Sequence, residues 1–244
     1  MTPVSFESVA RAAGIDGVAG AIRTAAARTG VDFSYLMAQA RLESGFDPKA
    51  QARTSSARGL YQFTNATWLE TVKKHGAAHG LGWAADAIAS GAAGAGSAAR
   101  ATILGLRDNA EAAALMAGEF ARDNGATLEK RLGRAVGATD LYMAHFLGSG
   151  GAARFLGALA AAPGVAAANL LPAAAAANRS VFFERDGSPR SVAEVYRRFA
   201  AKIEGSAAVA APPRPLAELP ATPTATDTSR ARLAYMLLAE LGGS

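Results

Sequence analysis

The sequence predicts an all-α chain, and three observations carry that reading. Apolar residues recur at helical spacing, i, i+3, i+4 and i+7, in almost every segment. Alternating β-branched runs, the mark of half-buried strands, are nearly absent. Capping residues stand where the periodic stretches begin and end. The chain has 244 residues, 50% of them hydrophobic, which is enough to bury a core without cross-links.

The elements follow in order. Helices are expected at 4–13, 17–29 and 33–44, the third opened by Asp32 as N-cap and closed by Gly45 and Pro48. The next runs from 65 to 75 behind Thr64, a second N-cap. The Gly/Ala/Ser stretch 90–99 reads as a loop. Helices are then expected at 109–124, 127–135, 139–148, 150–161, 165–169, 172–177 and 191–204. From Gly205 the chain changes to "GSAAVAAPPRPLAELPATPTAT", where Pro, Ala and Thr dominate and periodicity vanishes. This is the composition of an extended linker. It leads into "SRARLAYMLLAELGGS", with Leu233, Met236, Leu237 and Leu241 on one helical face. The expected organisation is a helical domain over 1–204, a linker over 205–227 and a short amphipathic helix over 228–244.

Bulk properties narrow the function. There is no cysteine, which removes disulfides, thiolate zinc sites and cysteine nucleophiles. The formal charge of +5 suits an anionic partner. The basic residues are scattered without interleaved aromatics, so nucleic acid is not the expected partner. No apolar run approaches the roughly 20 residues that span a bilayer. The opening "MTPVSFESVARAAG" lacks a basic start and an apolar stretch and does not read as a secretory signal.

One residue is out of place. In "YLMAQARLESGFDP" the acid Glu43 shares a helical face with Ala40, Leu36 and Phe33. It lies at the helix end where the macrodipole opposes a negative charge. A carboxyl group withdrawn from water is held in its neutral form, which a general acid requires. The plain alternative is a solvated acid on a helix end. A second segment, "TSSARGLYQF", sets small hydroxyl residues beside Gly59, Tyr61 and Gln62. Gly59 permits a turn, while Tyr61 can stack on a sugar and Gln62 can hydrogen-bond it. By itself it reads as a loop entering the helix at Asn65.

Together, "ESGFDPKAQARTSSARGLYQF" resembles the catalytic region of the soluble lytic transglycosylases, glycoside hydrolase family 23. Glu43-Ser44 matches the family's Glu-Ser motif. Gly59-Leu60-Tyr61-Gln62 matches its Gly-Leu-Met-Gln, with Tyr61 in place of Met and a loop one residue longer. "AHFLGSGGA" stands where the family has Ala-Tyr-Asn-Ala-Gly, so that His145 takes the Tyr position and Phe146 the Asn position. Tyr196 in "SVAEVYRRF" fits a Tyr on a C-terminal helix. With "PAAAAANRSVFFERDG", these segments look like a proteobacterial subgroup of transglycosylase-domain proteins. The resemblance spans roughly residues 18 to 204.

The resemblance implies a lysozyme-like, goose-type fold and a cell-wall enzyme. Glu43 would act as the single acid and base, cleaving between N-acetylmuramic acid and N-acetylglucosamine and closing a 1,6-anhydro ring. Ser44, Ser56, Gly59, Tyr61 and Gln62 would hold the glycan on one side, and His145, Phe146 and Tyr196 on the other, with Tyr196 also orienting Glu43. No metal or other cofactor is implied. Partners would be peptidoglycan strands and, through the C-terminal tail, an envelope-spanning flagellar or secretion assembly. The location would be the periplasm, reached without a visible signal. Rival readings are a hydrolytic muramidase on the same fold, a non-catalytic wall-binding scaffold, and a helical nucleic-acid-binding domain.

Three weaker signals complete the reading. Asp47 beside Pro48 is turn chemistry rather than a second catalytic acid. His75 and His79 stand four apart, but no third ligand follows and Gly76 and Gly80 weaken the helix, so no metal site is expected. "NAT" at 65–67 and "NRS" at 178–180 match the glycosylation sequon by chance.

Overall fold

A computed structural model describes the backbone of residues 6–210 and the side chains of residues 14–207. The described residues form eleven α-helices joined by turns and loops, with isolated β-bridges and no strand. The expected linker beyond Ala210 and the helix at 228–244 lie outside the described residues.

Helix α1 runs Phe6–Thr29. Two helices broken at 14–16 were expected, but the chain stays helical through Gly14 and Gly17. An internal glycine costs a helix only about 1 kcal/mol, too little to break a segment that packs against a neighbour. Helix α2 is Phe33–Ser44, as expected. The Asp32 side chain accepts from the Tyr35 amide, and Gly45 ends the helix in the left-handed region at φ 60°. Helix α3 is Asn65–His75, capped by Thr64. Two short helices, α4 (Gly82–Ala89) and α5 (Ala98–Gly105), flank the loop 90–97 and were not foreseen.

Helix α6, Ala110–Leu132, forms the centre. The expected break near residue 125 is absent. A β-carbon on Gly125 would make only ordinary contact with Leu141, 3.4 Å away, and α6 runs on through this glycine. Gly118 is the glycine that lets α1 approach, since a β-carbon there would meet the Thr29 hydroxyl at 2.5 Å. Helix α7, Ala138–Ala161, has non-helical backbone at Gly148 (φ 69°, ψ 156°). The expected division there becomes a kink inside one element.

Three one- or two-turn helices follow: α8 (Ala167–Leu170), α9 (Pro172–Ala177) and α10 (Arg179–Phe182), the last not foreseen. Helix α11 runs Val192–Ala210, so the helix expected at 191–204 continues to residue 210.

Helix α6 packs against α1, α3 and α7, and α11 lies across α2 and α7. The interior is one apolar cluster in which Ile22, Leu36, Trp68, Met116, Leu128, Met143 and Phe155 are fully buried. Burial of such side chains, at roughly 1.5–3 kcal/mol each, is the main stabilising term.

The segment between α2 and α3 has no regular structure of its own, and a distant turn holds it. Arg107, only 5% exposed, donates from Nη1 to the carbonyls of Ser56 (2.7 Å) and Phe63 (2.9 Å). Arg58 grips Asp108 with two bonds, Nε to Oδ1 at 2.7 Å and Nη2 to Oδ2 at 2.5 Å. Gly59, at φ 82°, lies so near the Arg107 carbonyl that a β-carbon would stand 2.1 Å from its oxygen. Gly59→Ala should therefore destabilise the protein by about 2 kcal/mol or more, through both clash and strain; a thermal melt within 1 °C of the parent would contradict this.

The Arg58 hydrogen bond holds the Asp108 carboxyl below its ordinary range. A depressed acid contributes stability above its unfolded pKa, and the contribution is lost as pH falls through the folded one. Arg58 is 36% exposed, so after solvent screening Asp108→Asn should cost only about 1 kcal/mol at pH 7. The gap to the parent should close below the ordinary carboxylate range, as read by melts across pH.

Candidate active site

Glu43 occupies the last turn of α2 with its side chain 8% exposed. The chain reverses at once behind it. Gly45 and Phe46 (φ 71°) are both left-handed, and the Gly45 amide returns to the carbonyls of Ala40 and Arg41. The only other non-glycine residue with positive φ among those described is Gln62, at 50°. Each such residue costs about 1–3 kcal/mol, and both lie in the segment that follows Glu43.

Four elements contribute to the surroundings of this carboxylate. From α7, His145 Nε2 stands 3.3 Å from Glu43 Oε1, and the Tyr142 hydroxyl faces Glu43. The rings of Tyr142 and His145 stack, with centroids 6.1 Å apart and 8° between planes. Phe120 of α6 meets His145 edge-on at 6.3 Å. From α2, buried Gln39 sets its Nε2 3.2 Å from His145 Nδ1. From α11, Lys202 Nζ lies 5.6 Å from the Tyr142 ring centroid. Burial pushes the Lys202 ammonium's pKa down while Glu43 pulls it back up. Burial, with the Glu43 charge adding, pushes the Tyr35 and Tyr142 hydroxyls up, which keeps them protonated as donors.

The residues expected at the site divide into those at Glu43 and those that shape the loop beside it. His145 stands at Glu43. Ser44 does not face outward: its hydroxyl donates to the Leu60 carbonyl at 2.8 Å, with the Ala40 carbonyl at 3.1 Å, and ties the end of α2 to the loop. Gln62 donates from Nε2 to the carbonyls of Gly59 (2.9 Å) and Ala50 (3.1 Å) and closes the turn around Gly59. Ser56 is exposed, and its hydroxyl oxygen accepts from the Asn65 amide at 3.2 Å.

Tyr61 is a correction. It is 1% exposed with its hydroxyl on the Leu36 carbonyl at 3.2 Å, so it belongs to the core and offers no face for a sugar. The apolar Met that the family motif carries fits such a position. Tyr196 is a second correction. Its hydroxyl donates to Asp140 Oδ1 at 3.1 Å and not to Glu43. Phe146 is half-buried against Phe199, ring centroids 5.1 Å apart.

Gln39, Tyr142 and Lys202 were missed. Gln39 is four residues before Glu43, a polar residue inside an apolar stripe, and Tyr142 is three before His145. Both spacings put the pairs on common helix faces, so the signal was present once Glu43 and His145 were singled out. Lys202 had none.

The pair His75 and His79 pairs with acids of α6 instead. His79 Nε2 lies 2.7 Å from Glu119 Oε1, and His75 Nε2 lies 2.8 Å from Asp123 Oδ2. Among the described residues no group of three or more His, Cys, Asp or Glu is placed to hold a metal ion, and no helix is long and apolar enough to cross a membrane. Asp47 accepts from the Lys49 amide at 2.8 Å, a turn role as expected.

The arrangement gives one nearly enclosed carboxyl group at a helix end, with hydrogen-bond donors on one side and an ordered loop behind it. The family model of the transglycosylase SLT domain matches residues 20–97. The match takes in α2, Glu43 and the whole Gly59–Gln62 loop, while α6, α7 and α11 complete the surroundings from outside it. The chain thus carries, on an all-α, lysozyme-like fold, a region that matches the transglycosylase SLT domain, and the match supports a lytic transglycosylase acting on peptidoglycan.

Proposed function

We propose that the protein cleaves the β-1,4 bond between N-acetylmuramic acid and N-acetylglucosamine, with Glu43 as sole general acid and base. The observation that carries this reading is the enclosure of Glu43, 8% exposed at the end of α2 inside the matched domain. The other buried acids among the described residues are already engaged. Asp140 takes Arg134 at 2.7 Å and the Tyr196 hydroxyl, and Glu119 takes His79 and Arg122. A second catalytic carboxylate of the usual glycosidase pair has no evident candidate.

The chemistry closes with one group. Glu43 gives its proton to the glycosidic oxygen as the bond to the muramic anomeric carbon breaks, and the glucosamine leaves with a free 4-hydroxyl. The muramic N-acetyl oxygen stabilises the electron-poor anomeric carbon. The muramic C6 hydroxyl then attacks that carbon, its proton passes to the Glu43 carboxylate, and a 1,6-anhydro ring closes. The proton lent in the first step returns in the second.

The Tyr142 hydroxyl and His145 support the ionised carboxylate between the two steps. Ser44, Gly59 and Gln62 fix the loop against which the glycan lies. The net charge of +5 favours a polymer rich in lactyl and peptide carboxylates. The domain would work in the periplasm, where that polymer lies.

Glu43→Gln keeps shape and removes the proton. It should lower turnover of purified sacculi by about a thousandfold or more while leaving sacculus binding and the melting temperature in place. Activity within tenfold of the parent would contradict the assignment.

A further inference from the structure

His145 occupies the place where the family motif has a tyrosine, and nothing in the two-step chemistry requires an imidazole there. Its two ring nitrogens are nonetheless both engaged. Nε2 faces Glu43 Oε1 at 3.3 Å, and Nδ1 faces the Gln39 amide nitrogen at 3.2 Å. Gln39 is 3% exposed and comes from the same helix as Glu43, one turn earlier. The ring is clamped on its faces and edges by Tyr142 and Phe120. A buried amide with no packing need for polarity thus ends on the far nitrogen of a ring whose near nitrogen meets the acid.

An amide nitrogen only donates, so the Nδ1 it meets must be unprotonated. The single ring proton of a neutral imidazole then sits on Nε2, the nitrogen 3.3 Å from Glu43 Oε1. We propose that Gln39 and His145 form a tautomer-setting pair that positions Glu43: the Nε2–H occupies Oε1, which leaves the catalytic proton to Oε2. This rests on the reading of Glu43 as the acid. His145 and Gln39 are positioning residues, acting through Glu43 in the way a second partner fixes a catalytic or metal-bound histidine.

The opposite arrangement has a definite consequence. The Gln39 carbonyl oxygen is buried and has no hydrogen-bond partner. An amide turned to satisfy it would accept from an Nδ1–H, and the bare Nε2 would then take the acid's own proton. A doubly protonated ring would hold Glu43 ionised. Both states remove the acid form, so the amide orientation decides whether the site is competent. The other titratable groups facing this cluster are Tyr35 from α2, Tyr142 from α7 and Lys202 from α11. The two hydroxyls are kept protonated by burial, and the Lys202 charge is common to every variant below.

The chain has three histidines, so ring nitrogen spectra of the intact protein can be assigned with a single His145→Gln variant. A neutral Nε2–H tautomer for His145 at the pH of highest activity is expected. An Nδ1–H tautomer or an imidazolium there would overturn the proposal.

Kinetics supply a second, independent reading. His145→Gln offers Glu43 an untitratable N–H and should keep kcat within about tenfold, whereas His145→Leu should lose about a hundredfold, both with KM little changed. In the parent, Gln39→Met should cost about tenfold in kcat with KM little changed. In the His145→Gln background the same change should cost less than about twofold, because no tautomer remains to be set. Equal cost in both backgrounds would mean that Gln39 only packs, and would overturn the pair. Glu43→Gln separates the two claims: if that variant stays active the acid assignment fails, whatever the Gln39 variants do.

Discussion

Everything at the site depends on how α2 ends. The helix must stop just behind Glu43, or the chain that follows could not fold back against the end of α2. Gly45 and Phe46 reverse the chain in the left-handed region, and the Ser44 hydroxyl ties the helix end to the Leu60 carbonyl. The loop so captured cannot hold itself. The buried Arg107 guanidinium and the Arg58–Asp108 pair anchor it to the turn before α6. A strained helix end, a loop and a distant turn form one unit, and the acid sits at its edge.

Around that edge the protein sets an imidazole and a phenol close and a positive charge farther off. His145 lies 3.3 Å from the carboxylate, the Tyr142 hydroxyl faces it, and Lys202 lies over the Tyr142 ring. Such an environment can host both forms of one carboxyl group. The groups around it need not move when the carboxyl group gives up or takes back a proton. A site built around two acids would separate their roles by environment. In the proposed mechanism the roles are separated in time on a single group, and the aromatic stack on α7 keeps the His145 ring in one plane.

What could be read from the sequence was what local chemistry decides. The bounds of α2 and α3 follow from Asp32, Gly45 and Thr64, because caps act within a turn of where they stand. Glu43 was visible because a helical period places it on the apolar face. The failures share a different cause. Gly125 looked like a helix end and is a contact surface for Leu141, which only the packing reveals. Arg107 and Asp108 hold a loop about fifty residues away, and no spacing encodes that. Tyr61 looked like a sugar platform, yet the turn at Gly59 and Gln62 points it into the core. Tyr196 lies on the expected helix but reaches Asp140, while Tyr142, one turn before His145, takes the place beside Glu43.

The central claim is that one carboxylate performs both steps and that the sugar's own hydroxyl, not water, closes the reaction. Digestion of purified sacculi in ¹⁸O-labelled water, followed by mass spectrometry of the released muropeptides, tests it most directly. The account predicts 1,6-anhydromuramyl ends that carry no ¹⁸O. Reducing muramyl ends bearing one ¹⁸O would contradict it and make the protein a hydrolytic muramidase on the same fold.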